Sequence, residues 1–184
     1  MQCSEYDRRR FIKTGMAVVA GLVFPLFPKN GFSALSNEVR DLRFYNTHTD
    51  ERLEVCYWAN GSYRKDELSA INHFFRDFRT GDVKAIDTRL IDLLHAISKK
   101  AGPKASLHLI SGYRSPKTNQ KLRQNSSGVA RKSMHMLGHA ADIRIPGVET
   151  AALREIAVKM CGGGVGFYPK SDFVHVDIGQ VRYW

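Results

Sequence analysis

Ser133-Met134-His135-Met136-Leu137-Gly138-His139-Ala140-Ala141-Asp142 sets an imidazole, His135, and a carboxylate, Asp142, seven residues apart across small side chains. Alternation from Gly138 to Pro146 reads as a strand, with Ala140 and Asp142 on one face and Ala141, Ile143 and Ile145 on the other. Asp142 then has room above Ala140, and Gly138 lets the backbone turn closely. A histidine satisfied by a nearby carboxylate is a common structural pair. What favours metal binding is a second imidazole, His175, in the later strand Phe173-Val174-His175-Val176-Asp177. Two His and one Asp leave a coordination position open, the arrangement of catalytic Zn²⁺ with a bound water of lowered pKa.

The scaffold around this pair reads as one α+β domain, a small, mainly antiparallel sheet carrying the metal site with helices packed on it. Residues 41–48 and 52–58 alternate as a hairpin, with Leu42, Phe44, Asn46 and Leu53, Val55, Tyr57 on shared faces. The period then changes: Leu68, Ile71, Phe74, Phe75 and Phe78 predict an amphipathic helix over 66–79. Asp87 is a natural N-cap for a second helix that Gly102-Pro103 ends. Residues 106–113 form a buried strand, followed beyond Pro116 by a polar helix anchored by Leu122. A third core helix spans 149–160 with Gly162 as its cap, and strands at 164–167 and 173–178 complete the domain. His73 and His95 lie on helices with no converging ligand, and His139 is expected at the surface or behind the ligands.

Ahead of this domain, Asp7-Arg8-Arg9-Arg10-Phe11-Ile12-Lys13 leads into an uncharged apolar run to Phe24, the order of a signal peptide. The Arg8-Arg9 pair resembles the twin-arginine export signal, and Pro25 and Pro28 cut the run short of a bilayer span. Residues 1–36 are therefore expected to be a signal segment and 37–184 the working domain, periplasmic, without a stable membrane span and monomeric. Of 28 Lys+Arg and 18 Asp+Glu, five and two fall in residues 1–36, so 37–184 keep an excess of seven positive charges. In an exported chain that favours cell-wall polymer or anionic lipid head groups over nucleic acid. Cys56 and Cys161 could join there, or remain free thiols.

Ser133-x-His135-x-x-Gly138-x-Ala140-x-Asp142, a later His175 and a preceding Ser-Gly-Tyr-Arg resemble the zinc peptidases of the D-alanyl-D-alanine metallopeptidase, lysostaphin and hedgehog fold group. Asn72–Asp77, Ile110–Ser115, Gly163–Gly166 and Phe-Val-His further resemble the murein endopeptidase K type, over nearly the whole chain. The resemblance implies that His135, Asp142 and His175 bind zinc and that the substrate is peptidoglycan, cut at cross-links between two diaminopimelate residues. Arg114, just beyond a strand end and a glycine, is suited to hold a peptide carbonyl or stabilise an oxyanion. Related peptidases use an arginine so, and Ser133 resembles a serine that binds substrate carboxylate. Relatives place an acid three residues before the last histidine, which points to Asp172 as general base. Asp177 is the rival, two residues along a strand from His175. Phe173 stands where some relatives have a helper histidine. A D,D- or L,D-carboxypeptidase, or a murein-binding module that keeps zinc without hydrolysis, are the alternatives.

Overall fold

The computed structural model describes residues 38–125 and 128–184. The signal segment read over residues 1–36, and its cleavage near Asn37, lie outside them.

Strands β1 (Arg40–Asn46) and β2 (Arg52–Ala59) form the expected hairpin, Phe44 facing Leu53. Leu42, Phe44, Asn46, Val55 and Tyr57 are all buried on one side. The turn is closed by the Asn46 carboxamide oxygen, which accepts from the His48 and Thr49 N–H groups at 2.9 and 3.3 Å. A short β3 (Ser62–Tyr63) adds an edge that the sequence did not announce. Its Tyr63, together with Tyr57, donates to the Asp92 carboxylate at 2.6 and 2.9 Å.

Helix α1 runs only over Lys65–Phe74, five residues short of the expected end. Beyond it Asp77 accepts from the N–H groups of Arg79 and Ser115, at 3.0 and 2.9 Å, so the chain leaves the helical ladder to grip a distant turn. Phe78 consequently drops out of the helical stripe and stacks on His48. Helix α2 (Thr88–Ala101) follows expectation, with the Asp87 carboxylate accepting from the Arg89 N–H. Its Leu90, Ile91, Leu94 and Ile97 are sealed in the core. Burial of this kind contributes about 1.5–3 kcal/mol per side chain.

β4 (Leu107–Ser111) then pairs parallel to β1 on the side away from β2, and so runs opposite to β2. In α3 (Pro116–Asn125) the buried residues are Thr118 and Asn119, whereas Leu122, the expected anchor, is half-buried. Next come β5 (Ala140–Arg144), α4 (Thr150–Met160), β6 (Gly164–Tyr168), β7 (Phe173–Asp177) and β8 (Arg182–Tyr183). Helix α4 ends on Cys161 in the left-handed region, so Gly162 is not its cap. Gly162 instead lies against Leu93, where a Cβ would come within 2.7 Å of a methyl carbon. Cys56 carries a free thiol and does not join Cys161.

The eight strands order as β3-β2-β1-β4-β5-β7-β6-β8. Because β1–β4 and β6–β8 run parallel, the sheet is mixed where a mainly antiparallel one was expected. Helices α1, α2 and α4 pack on the face that carries Leu42, Phe44, Leu109, Ile143 and Val174. Alternation sends Tyr45, His108, Asp142, Arg144 and His175 to the other face.

Candidate active site

Antiparallel pairing of β5 with β7 sets Asp142 directly opposite His175. His135 comes from a 3₁₀ turn, Met134–Leu137, that precedes β5. That turn is pinned by the Arg114 N–H, which donates to the His135 carbonyl at 3.2 Å. Gly138 closes it at φ 73°, and a Cβ there would lie 2.4 Å from the Ala85 carbonyl oxygen. Only glycine satisfies both conditions.

The three side chains converge. His175 Nδ1 lies 2.8 Å from Asp142 Oδ1 and 3.2 Å from His135 Nε2, and His135 Nε2 lies 3.2 Å from Asp142 Oδ1. Their outer nitrogens are committed elsewhere: His135 Nδ1 donates to the Gly112 carbonyl at 2.7 Å, and His175 Nε2 to Asp177 at 3.0 Å. Two neutral rings in these tautomers aim lone pairs at each other and at a carboxylate. Only a cation or an added proton reconciles such an arrangement. Among the described residues this is the one group of His, Cys, Asp or Glu side chains placed to hold a metal, and all three are buried.

The electrostatics follow from the same packing. Burial alone would lower the His175 pKa, but hydrogen bonds to Asp142 and Asp177 push it up to about 9. Burial would likewise raise Asp142, and the two imidazoles hold it far below the usual carboxylate range. For Asp177, burial is outweighed by His175, Arg182 and the N–H groups of Gly179 and Gly164, again holding the acid far down. A carboxylate behind a ligand imidazole fixes its tautomer and orientation.

Of the other expected residues, Arg114 reaches the site: its Nη2 lies 3.7 Å from Asp142 Oδ2 and within 3.4 Å of the Ser111 hydroxyl. Burial lowers its pKa against the pull of Asp142, and its Nε is enclosed without a partner. Ser133 opens the 3₁₀ turn and lines the same cleft. Asp172 does not join them. It sits in the left-handed region, takes the Thr150 hydroxyl and pairs with Arg144 at 3.3 Å on an exposed edge. Asp177 is fully buried and accepts from His175, Arg182, Gly164 and Gly179, which leaves it facing no substrate space. Neither acid is placed in the cleft as a general base. His139 turns away to Asp87, 3.7 Å distant.

The cleft has a volume of about 440 Å³, and among the described residues Asp142 carries the only side-chain carboxylate on its wall. Arg114, Lys132 and Arg182 give that wall a positive field. Trp184 was missed by the sequence reading. Its ring stands 5.4 Å from that of His175, under Arg182, and its indole N–H donates to the Tyr168 hydroxyl at 2.9 Å. β8 holds it there by parallel pairing with β6, and a two-residue strand leaves no periodic signal to find.

Residues 34–184 match the family model described as Peptidoglycan L,D-endopeptidase MepK. The chain is similar to the Peptidoglycan L,D-endopeptidase MepK of Escherichia coli strain K12, at 39% identity over 179 residues, 97% of either chain. The protein of that name from Shigella flexneri matches to the same extent. A probable peptidoglycan L,D-endopeptidase MepK of Haemophilus influenzae is 33% identical over 186 residues, 100% of this chain and 98% of the relative.

Proposed function

The chain belongs to the MepK family of peptidoglycan L,D-endopeptidases and is a peptidoglycan-hydrolysing enzyme; on that premise we propose that it is an exported, zinc-dependent, monomeric endopeptidase of murein cross-links, acting on those between two diaminopimelate residues. The observation that carries the metal reading is the convergence of three buried electron-pair donors whose outer hydrogen bonds leave no proton between them. His135, Asp142 and His175 would hold the ion, and two imidazoles with one carboxylate suit zinc. Zinc in that place supplies Lewis-acid activation of a water and of the peptide carbonyl.

The chain's own residues do the remainder. Asp177 holds the His175 ring with Nδ1 facing inward, and Gly112 does the same for His135 with Nε2 inward. Arg114, fixed beside Asp142, meets the negative charge that develops on the carbonyl oxygen. Lys132 and Arg182 add positive charge to the wall, and a diaminopimelate link carries carboxylates on both sides of the bond. Ser133 offers a hydroxyl to the same substrate groups. Export rests on the Arg8-Arg9 pair and the apolar run behind it.

Digestion of purified sacculi by the 37–184 chain tests this reading, with and without chelator and restored zinc, and with His175→Ala as control. Cross-linked dimers that disappear only with zinc and His175 present are expected, and their structure names the bond. Sacculi left intact with zinc present would end the proposal.

A further inference from the structure

One row of side chains crosses the sheet on the face away from the helices. Arg52 pairs with Tyr45, Tyr45 with His108 and His108 with Arg144 in successive ladders. Ile143 faces Val174, so the next pair sets Arg144 beside Phe173, and Phe173 pairs in turn with Tyr168. The row is bound together by contact as well as register. The Arg52 guanidinium lies 5.3 Å over the Tyr45 ring, Tyr45 is 4.7 Å from His108, and Phe173 stacks on Tyr168 at 4.6 Å. Six strands at the usual spacing make it about 24 Å long, room for roughly seven residues of extended peptide. It runs two residues along each strand from Asp142 and His175, about 7 Å from the ligands.

The row continues into the cleft. Tyr168 and Phe173 are cleft walls, and His108 is shared by two further hollows of about 250 and 400 Å³ that flank it. The charged side chains of the row itself are both positive, with Glu54, Glu149 and Asp172 on the walls of the flanking hollows: Arg52 is exposed, and Arg144 forms an exposed ion pair with Asp172. Such a pair is weak and readily exchanged for another carboxylate.

We propose that this row is a binding site for the carboxylate-bearing stem peptide of one of the two strands joined at the bond being cut. The inference rests on the endopeptidase reading and adds a second contact region to it. The Arg52 and Arg144 forks match peptide carboxylates, and the rings of Tyr45 and His108 between them, with Phe173 and Tyr168 beyond Arg144, match peptide planes. A neutral glycan would use the aromatic faces but gain nothing from the arginines.

The test uses two readouts. In the first, the full chain with His175→Ala is titrated with glycan-free cross-linked muropeptide dimer, with and without Arg52→Gln and Arg144→Gln together. The dimer should bind about tenfold more weakly to the arginine-less chain, with a shallower dependence on salt. Equal dimer affinity overturns the proposal. Loss of binding to peptide-free glycan strands, with the dimer unaffected, assigns the row to sugar and overturns it too. In the second, the same arginine changes in the chain with His175 intact should raise KM for the dimer about tenfold and leave kcat unchanged. A fall in kcat at unchanged KM refutes a binding role. Arg52→Glu, at an exposed position, repeats both measurements should the double variant fold poorly. If the chain with His175 intact hydrolyses no murein at all, the endopeptidase reading fails, while the titration still decides the row.

Discussion

His175 is held from both sides, and each side can be tested by one substitution. Asp177→Asn keeps the shape but loses the acceptor that fixes the ring. Metal affinity, read by competition with a chelator, should fall between about 10- and 100-fold. Arg114→Ala should lower kcat by about a hundredfold or more, and Arg114→Lys should recover little of it, because an ammonium cannot reproduce the guanidinium fork. The convergence of the candidate ligands Asp142 and His175 was legible from the alternation of their strands, whereas His135, on a 3₁₀ turn, stood out only by its residue type and spacing. Asp172 stands outside the cleft for a reason of geometry. An offset of three residues from a ligand says nothing of direction once the backbone enters the left-handed region, and there the carboxylate swings out to Thr150 and Arg144. Asp177 shared the right face, but its depth and its four donors are properties of neighbours from distant sequence.

At the scale of elements, the strong signals were those with a long period. Helix α2 was legible from cap to terminating glycine, as was the first hairpin, because their patterns repeat over many residues. Helix α1 was overextended since Phe75 and Phe78 continue its apolar spacing. The carboxylate of Asp77, tied to Ser115, is a tertiary bond that no local pattern shows. That bond makes a prediction about acid. Burial would raise the Asp77 pKa, but hydrogen bonds from Thr118, Ser115 and Arg79 win and hold it below the ordinary value. A depressed carboxyl contributes stability above its unfolded pKa near 4, lost as pH falls through its lower folded value. Asp77→Asn should therefore cost about 1–3 kcal/mol at neutral pH in urea unfolding, with the difference from the parent shrinking below about pH 4. A gap that stays constant across that range would contradict the assignment. Helix α3 taught the reverse lesson. Its buried face is polar, and Asn119 donates to the Ala130 carbonyl at 3.2 Å, so hydrophobicity points to Leu122 while polar residues supply the anchor.

For the domain as a whole, the apolar core and the candidate metal site lie on opposite sides of one sheet. Removal of metal should therefore abolish hydrolysis while far-UV circular dichroism stays the same. The melting temperature should drop only by what bound metal adds, about 2.7 kcal/mol at a hundredfold excess over Kd, and it should rise with metal concentration. A chain that unfolds outright on chelation would mean that the site is part of the core. One-sidedness also bears on how an enzyme meets a solid. A cross-linked wall cannot diffuse into a protein, and its bonds are fixed in a mesh. A catalyst whose reacting groups project from one side of a sheet, with helices α1, α2 and α4 behind, can be laid against such a mesh like a hand plane on a board. The helical side then sets the clearance that a pore in the mesh must provide.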